Sequence, residues 1–215
     1  MKKITVSFLL LAMFGVIAIA WLNATSTGQR FRAIHLPKRT AHFRTAPYTH
    51  LKIKNKAAAA RDFAATRNYN KEYCFLIDMS LPSGSNRFFI YDLQKDSITG
   101  SGLVTHGRCN QDWLEGRRYG NNIGCGCTSL GKYRIGQRYN GRFGIAFKLY
   151  GLEKTNDKAY ARFVVLHAHS CVPENETRDE ICQSDGCPTV SPPFLQELSP
   201  LIMRSKKPVL LWIFN

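Results

Sequence analysis

The chain has 215 residues, of which 44% are hydrophobic, and its 13 Phe, 9 Tyr and 3 Trp are enough for one domain with a real core. This composition excludes a chain that is disordered throughout. The formal net charge is +15, but the surplus is uneven. Residues 1–71 hold 13 Lys or Arg and one acid, whereas residues 72–215 hold 17 and 14. The basic character therefore belongs to the N-terminal region.

The N-terminus carries an export signal. Lys2 and Lys3 precede a largely apolar run over residues 4–22, and small residues suitable for cleavage follow at 18–24. The run fits a cleaved signal peptide and also a membrane anchor, and both place the remaining chain where disulfides persist. We expect a periplasmic or cell-envelope protein, secreted or anchored through residues 4–22. Export removes the chain from nucleic acid, so the basic region is interpreted as a solvated linker near the membrane.

Three segments follow from these patterns. Residues 1–24 are assigned to the signal peptide or anchor, residues 25–71 to a basic linker with a short helix, and residues 72–215 to a folded domain. The helix is expected around residues 57–65, where six alanines allow close packing.

The folded domain is predicted to be mainly β. Short runs rich in β-branched and aromatic residues alternate with turn residues, which favours a curved sheet or β-sandwich with one or two short helices. Strands are predicted at residues 74–79, 87–91, 97–105, 132–137, 145–150, 162–167 and 208–214. One helix is predicted at residues 192–205 from its apolar spacing.

Two features in the second half of the domain indicate nucleophilic catalysis. The run over residues 163–166 predicts a buried strand that presents His167 at its end. Cys187 lies between Gly186, which tolerates unusual backbone angles, and Pro188, which favours an extended Cys187. A thiol on a tight turn near an imidazole suits a Cys/His pair, with the Gly186 and Cys187 amides as donors to an oxyanion.

Each residue also has a structural interpretation. Exported chains use most cysteines in disulfides, and a histidine at a strand end is often only a hydrogen-bonded structural side chain. The chain contains seven cysteines, so one remains unpaired if the others form bridges.

The run Ser184-Asp185-Gly186-Cys187-Pro188, with His167 upstream, resembles the active-site motif of the L,D-transpeptidases, the YkuD-type catalytic domain of peptidoglycan enzymes. It is most similar to a murein L,D-transpeptidase branch with a Ser-x-Gly-Cys-Pro motif. Asp185 replaces a histidine of the common motif, and Pro188-Thr189 follow where Arg or Asn is usual. Further similarities cover residues 104–108, 128–133, 139–141, 151–153 and 156–157.

The resemblance implies a function and roles for individual residues. Cys187 would form a thioester with a peptidoglycan stem peptide and release the terminal D-residue, with His167 as base and with an amine as acceptor. The pKa of the Cys187 thiol is expected to be lowered by an ion pair with protonated His167. Ser184 is expected to hold the turn or contact the substrate, and His106 to line the cleft. His169 is an alternative base. No cofactor is expected.

Alternative functions remain open. The same residues would serve an L,D-carboxypeptidase that uses water as acceptor. A catalytically inactive wall-binding module would keep the fold without turnover. A structural secreted domain would use Cys187 as half of a bridge.

The remaining cysteines predict disulfides. Cys171 and Cys182 stand at the two ends of an acidic connector between His167 and Cys187, and we expect them to be bridged. Two more bridges could form among Cys74, Cys109, Cys125 and Cys127, of which Cys125 and Cys127 are too close to favour each other. The Cys125-x-Cys127 pair lacks a second ligand pair at zinc spacing, so no metal site is expected.

Overall fold

A computed structural model describes residues 47–215. All eight of its strands form one mixed sheet in the order β3-β2-β1-β8-β4-β5-β6-β7, in which β1 pairs with β8, and β6 with β7, in parallel. A mainly β fold with two helices is thereby confirmed. The elements in chain order are α1 (Pro47–Thr66), β1 (Tyr73–Asp78), β2 (Phe88–Asp92), β3 (Ser97–Gly102), β4 (Gly131–Gly141), β5 (Gly144–Gly151), β6 (Val165–Ala168), β7 (Thr189–Val190), α2 (Pro192–Arg204) and β8 (Leu210–Phe214).

The sheet is covered on both faces. Neighbouring side chains of a strand point to opposite faces, and four successive residues of β1 have exposed fractions of 1% or less. Phe75 and Ile77 pack in one cluster with Phe194, Leu195 and Leu198 of α2. Cys74 and Leu76 pack in a second cluster with Ile53, Ala57 and Ala60 of α1. This double burial explains why the central strands are runs of apolar residues rather than alternating patterns.

Helix α1 is longer than the sequence indicated. It has 20 residues and begins at Pro47, so residues 47–50, which the sequence placed in the linker, are helical. Its buried residues recur every three or four positions, which places them on one face toward the sheet. The Lys52 ammonium also forms an ion pair with the sheet, because it lies 3.0 Å from Oδ1 of the buried Asp78.

The predicted export segment and the predicted linker up to residue 46 lie outside the described residues. Within residues 47–215, neither helix has the length and apolar character needed to span a bilayer.

The strand predicted at residues 162–167 is wrong at its start. Strand β6 begins at Val165, and Phe163 is 84% exposed with a φ of +57°. The residue therefore lies in a left-handed bend, which a search for apolar runs cannot detect. His167 lies inside β6, paired with Ala146 of β5 and with Thr189 of β7.

The predicted Cys171–Cys182 disulfide is confirmed. A second bridge joins Cys109 and Cys127. The third possible bridge is not formed, because Cys74 is buried in β1 beneath α1, and burial raises the pKa of its thiol to about 12. Cys125 and Cys187 are also free thiols.

Candidate active site

Cys187 and His167 line the same cavity, which has a volume of about 540 Å³. Its wall comes from segments within residues 105–113, 167–171 and 182–189, with Phe143 added from the turn between β4 and β5. The Cys171–Cys182 disulfide is part of this wall and joins the segment after His167 to the segment before Cys187. The fold thus brings the two residues together from opposite ends of a 20-residue connection.

The turn that carries Cys187 requires a glycine. Gly186 has a φ of +102°, and a β-carbon there would lie 2.5 Å from the carbonyl oxygen of Cys127. Ser184 closes the turn, because its hydroxyl donates to the Cys187 carbonyl oxygen at 2.7 Å and accepts from the Gly186 amide at 3.2 Å. Ser184 thus has the turn-holding role that the sequence allowed, while also lining the cavity.

A neighbouring chain segment frames the turn on its other side. The Ser184 amide donates to the His106 carbonyl oxygen at 2.9 Å, and the Thr105 amide donates to the Thr189 carbonyl oxygen at 2.9 Å. The Thr105 hydroxyl adds a bond to the Cys187 carbonyl oxygen at 3.2 Å. Hydrogen bonds on both sides of Cys187 therefore hold the turn in place.

The His167 ring is oriented by two hydrogen bonds. Nδ1 lies 3.1 Å from the carbonyl oxygen of Ala168, which can only accept, so the Nδ1 atom carries the proton. Nε2 is then an acceptor, and the Thr189 hydroxyl donates a hydrogen bond to it, with 3.0 Å between Oγ1 and Nε2. The Phe143 ring stacks on the imidazole with centroids 5.3 Å apart. The tautomer leaves Nε2 as the basic nitrogen.

Burial favours the neutral forms of Cys187 and His167. It raises the pKa of the Cys187 thiol, an effect that a hydrogen bond from the Val165 backbone opposes. Burial also lowers the pKa of His167. The raised thiol pKa runs opposite to the lowered pKa expected from the sequence, and both directions disfavour a resting thiolate–imidazolium pair.

A bend between Tyr160 and Val165 lies beside Cys187. Arg162 Nη2 donates to the Cys127 carbonyl oxygen at 2.5 Å, and Nη1 donates to the Gly120 carbonyl oxygen and to the Ser129 hydroxyl. The next residue, Phe163, places its carbonyl oxygen 3.8 Å from the Cys187 Sγ. The thiol of Cys187 therefore contacts the bend at Phe163, a residue that the sequence assigned to a strand.

The two amides proposed for an oxyanion differ in availability. The Gly186 amide is occupied by the Ser184 hydroxyl. The Cys187 amide donates to no group within residues 47–215. Of these two amides, that of Cys187 is therefore the free donor. No three His, Cys, Asp or Glu side chains in this part of the chain converge as metal ligands.

A family model, that of the L,D-transpeptidase catalytic domain, matches residues 45–213. The chain belongs to this family. Its members act on peptidoglycan stem peptides and are generally cysteine-dependent. The match confirms the resemblance drawn from the motif around Cys187.

The L,D-transpeptidase domain is also similar to a solved structure, the helical cell shape determining protein Pgp2 from Campylobacter jejuni. The two share 14% sequence identity with a TM-score of 0.44, over 80% of this chain and 57% of that one. This chain thus corresponds to a little over half of that protein. No curated protein matches the chain significantly.

Other residues predicted for the transpeptidase site lie in different surroundings. His106 does not line the cavity; it is 1% exposed and its Nδ1 lies 3.2 Å from Nη2 of the buried Arg87, so its position gives no support for a substrate contact. His169 does line the cavity, with the Phe143 ring edge-on at 5.1 Å. Asp185 is exposed and ion-paired with Arg108 at 2.7 Å.

Several residues of the candidate site could not be identified from the sequence. Thr189 and Thr105 were visible only as parts of longer motifs, and their contacts depend on pairing between distant segments. Phe143 and Arg162 lie in loops with no pattern that marks them. For these residues the sequence offered one signal of a place in the site, which is that Thr189 lies two residues after Cys187.

Proposed function

We propose that the chain is a cysteine-dependent peptidoglycan L,D-transpeptidase, with Cys187 as nucleophile and His167 as its base. The observation that carries this proposal is the shared cavity, which the half-buried Cys187 thiol and the His167 imidazole both line. Family membership supplies the substrate class, the peptide stems of peptidoglycan.

The first half-reaction forms a thioester. The Cys187 Sγ attacks the carbonyl carbon of the amide before the terminal D-residue, and the thiol proton passes to Nε2 of His167. Nε2 first loses its bond to Thr189, whose hydroxyl has a second acceptor in the Cys187 carbonyl oxygen at 3.3 Å. The Cys187 amide donates to the developing oxyanion. The imidazolium then protonates the leaving nitrogen, and the C–N bond breaks.

The second half-reaction resolves the thioester. An acceptor amine attacks the thioester carbonyl and gives its proton to Nε2, and the C–S bond breaks as the thiol is regenerated. Burial assists both steps, because it keeps the imidazole neutral and able to take a proton.

Arg108 is proposed to bind a carboxylate of the donor peptide. Arg108 is the arginine among the residues that line the cavity. We propose that it replaces the basic residue that the common motif has after the cysteine and that this chain lacks after Cys187. Arg108 is exposed on the cavity side and is paired with the exposed Asp185 at 2.7 Å, so a substrate carboxylate could compete for the same donors.

An exported location is proposed with this function. The family is usually periplasmic. Two disulfides within residues 47–215 suit an oxidising compartment. Attachment through residues 4–22 remains part of the proposal.

The test is product analysis with a purified disaccharide tetrapeptide. We expect release of the terminal D-residue and, when an amine acceptor is added, a product joined to that amine. Release without the joined product would favour the L,D-carboxypeptidase. Binding without release would favour the inactive wall-binding module.

A further inference from the structure

We propose that the phenyl ring of Phe163 contacts the donor peptide beside Cys187 and strengthens its binding. This inference rests on the proposed function, because it assigns a substrate contact for the same reaction.

The backbone conformation is unusual for an aromatic residue. Four non-glycine residues of the described chain have a positive φ. Asp96 and Asn110 are short polar types that adopt this conformation readily, and Cys109 is held by its disulfide. Phe163, at +57°, is the bulky exception, and glycine would satisfy the same bend without steric conflict. The bend explains a glycine at this position but does not explain a phenylalanine.

The ring does not contribute to the core. Phe163 is 84% exposed, whereas the next residue, Val164, is 4% exposed. One exposed aromatic ring is ordinary on a protein surface. An exposed ring on a disfavoured backbone conformation is not ordinary, because neither packing nor the local backbone favours it.

The position of Phe163 supplies the functional argument. Its carbonyl oxygen lies 3.8 Å from the Cys187 Sγ, so the residue borders the nucleophile. Phe143, 50% exposed, stacks on His167. The Phe163 backbone thus borders the thiol and the exposed Phe143 ring borders the imidazole, while Phe163 itself is not part of the cavity wall. We infer that a peptide bound across Cys187 and His167 extends beyond the cavity onto the exposed Phe163 ring, whose apolar surface suits the methyl and methylene groups of a stem peptide.

The test separates the ring from the bend. Phe163→Gly removes the ring and permits the positive φ, and Phe163→Tyr keeps an aromatic ring. Leu51→Ala removes a 58% exposed apolar side chain from α1 and serves as the control. Each change is made in Cys187→Ala protein for calorimetric binding of the disaccharide tetrapeptide, and with Cys187 intact for turnover and for alkylation by iodoacetamide.

We expect Phe163→Gly to raise the dissociation constant about tenfold, with Phe163→Tyr and Leu51→Ala unchanged. The alkylation rate of Cys187 should stay within about twofold of the parent, since the bend is kept. An unchanged dissociation constant in Phe163→Gly would overturn the proposal. So would an alkylation rate that falls as far as turnover, because the bend rather than the ring would then be responsible. Absence of turnover in the parent, with binding intact, would instead contradict the proposed function.

Discussion

The Thr189 hydroxyl oxygen lies 3.0 Å from Nε2 of His167 and 3.3 Å from the carbonyl oxygen of Cys187. The hydroxyl has one hydrogen and two acceptors, so it can hold the resting base and release it during attack. We therefore propose Thr189 as a positioning residue between the proposed nucleophile Cys187 and its proposed base His167. This role depends on the parallel pairing of β7 with β6, which places Thr189 opposite His167.

The first prediction concerns this hydroxyl. Thr189→Val keeps the shape of the side chain but removes the hydrogen bond to Nε2, so kcat should fall about ten- to a hundredfold while KM changes little. Thr189→Ser should restore most of kcat. Steady-state kinetics and thermal denaturation of both variants check this prediction. If the role of Thr189 is purely structural, Thr189→Val should have a lower melting temperature without a fall in kcat at nearly constant KM.

The second prediction concerns pH. Burial lowers the pKa of His167 below its ordinary value of 6.5, and the base must be neutral, so the acidic limb of kcat/KM should have its midpoint below 6.5. Burial raises the pKa of Cys187 above its ordinary value of 9.0, so the alkylation rate should rise with a midpoint above 9.0. An alkylation midpoint well below 9.0 would instead indicate a resting thiolate–imidazolium pair.

The third prediction concerns the glycine of the turn. Gly186→Ala should lower the free energy of unfolding by about 2–3 kcal/mol and abolish turnover, because the new β-carbon would meet the Cys127 carbonyl oxygen at 2.5 Å. Gly116→Ala is a matched control, since Gly116 also has a positive φ, at +68°, but has nothing within 4 Å of the added carbon. It should cost about 1 kcal/mol and retain activity. Equal effects in chemical denaturation would refute the steric explanation.

The fourth prediction concerns the Cys171–Cys182 bridge. Replacing both residues by Ser should cost roughly 3 kcal/mol, or about 6–12 °C in melting temperature, and should lower activity because the bridge is part of the cavity wall. Cys125→Ser, which removes a free thiol, should change neither. Non-reducing peptide mapping should find Cys171 linked to Cys182 and Cys187 free. A linkage to Cys187 would contradict both the bridge and the proposed nucleophile.

Local patterns predicted much of the fold. Consecutive apolar residues marked the central strands, because a sheet covered on both faces buries both sets of side chains. Pro192 and the apolar spacing after it marked helix α2, which ends at Arg204, one residue before the predicted end. Helix α1 was underestimated, since its first two turns contain few buried residues and carry no strong local signal.

The surroundings of the candidate site could not be predicted in the same way. The motif around Cys187 and the strand with His167 are local features, and so is the pair of cysteines that bounds the connector. Thr105, Phe143 and Arg162 reach the site through strand pairing and loop contacts that join residues far apart in sequence. Phe163 was assigned to a strand because its residue type favours β structure, whereas its amide donates to the Tyr160 carbonyl oxygen in a left-handed bend, a conformation that the residue type does not signal.

The most direct test of the central claim is intact-protein mass spectrometry after brief incubation with the disaccharide tetrapeptide and an acid quench. We predict a mass increase equal to the mass of the substrate minus that of the free amino acid released, located on Cys187 by peptide mapping and absent from Cys187→Ala, which should also lack turnover. Product formation by Cys187→Ala, or a covalent adduct on another residue, would contradict the assignment of Cys187 as the nucleophile.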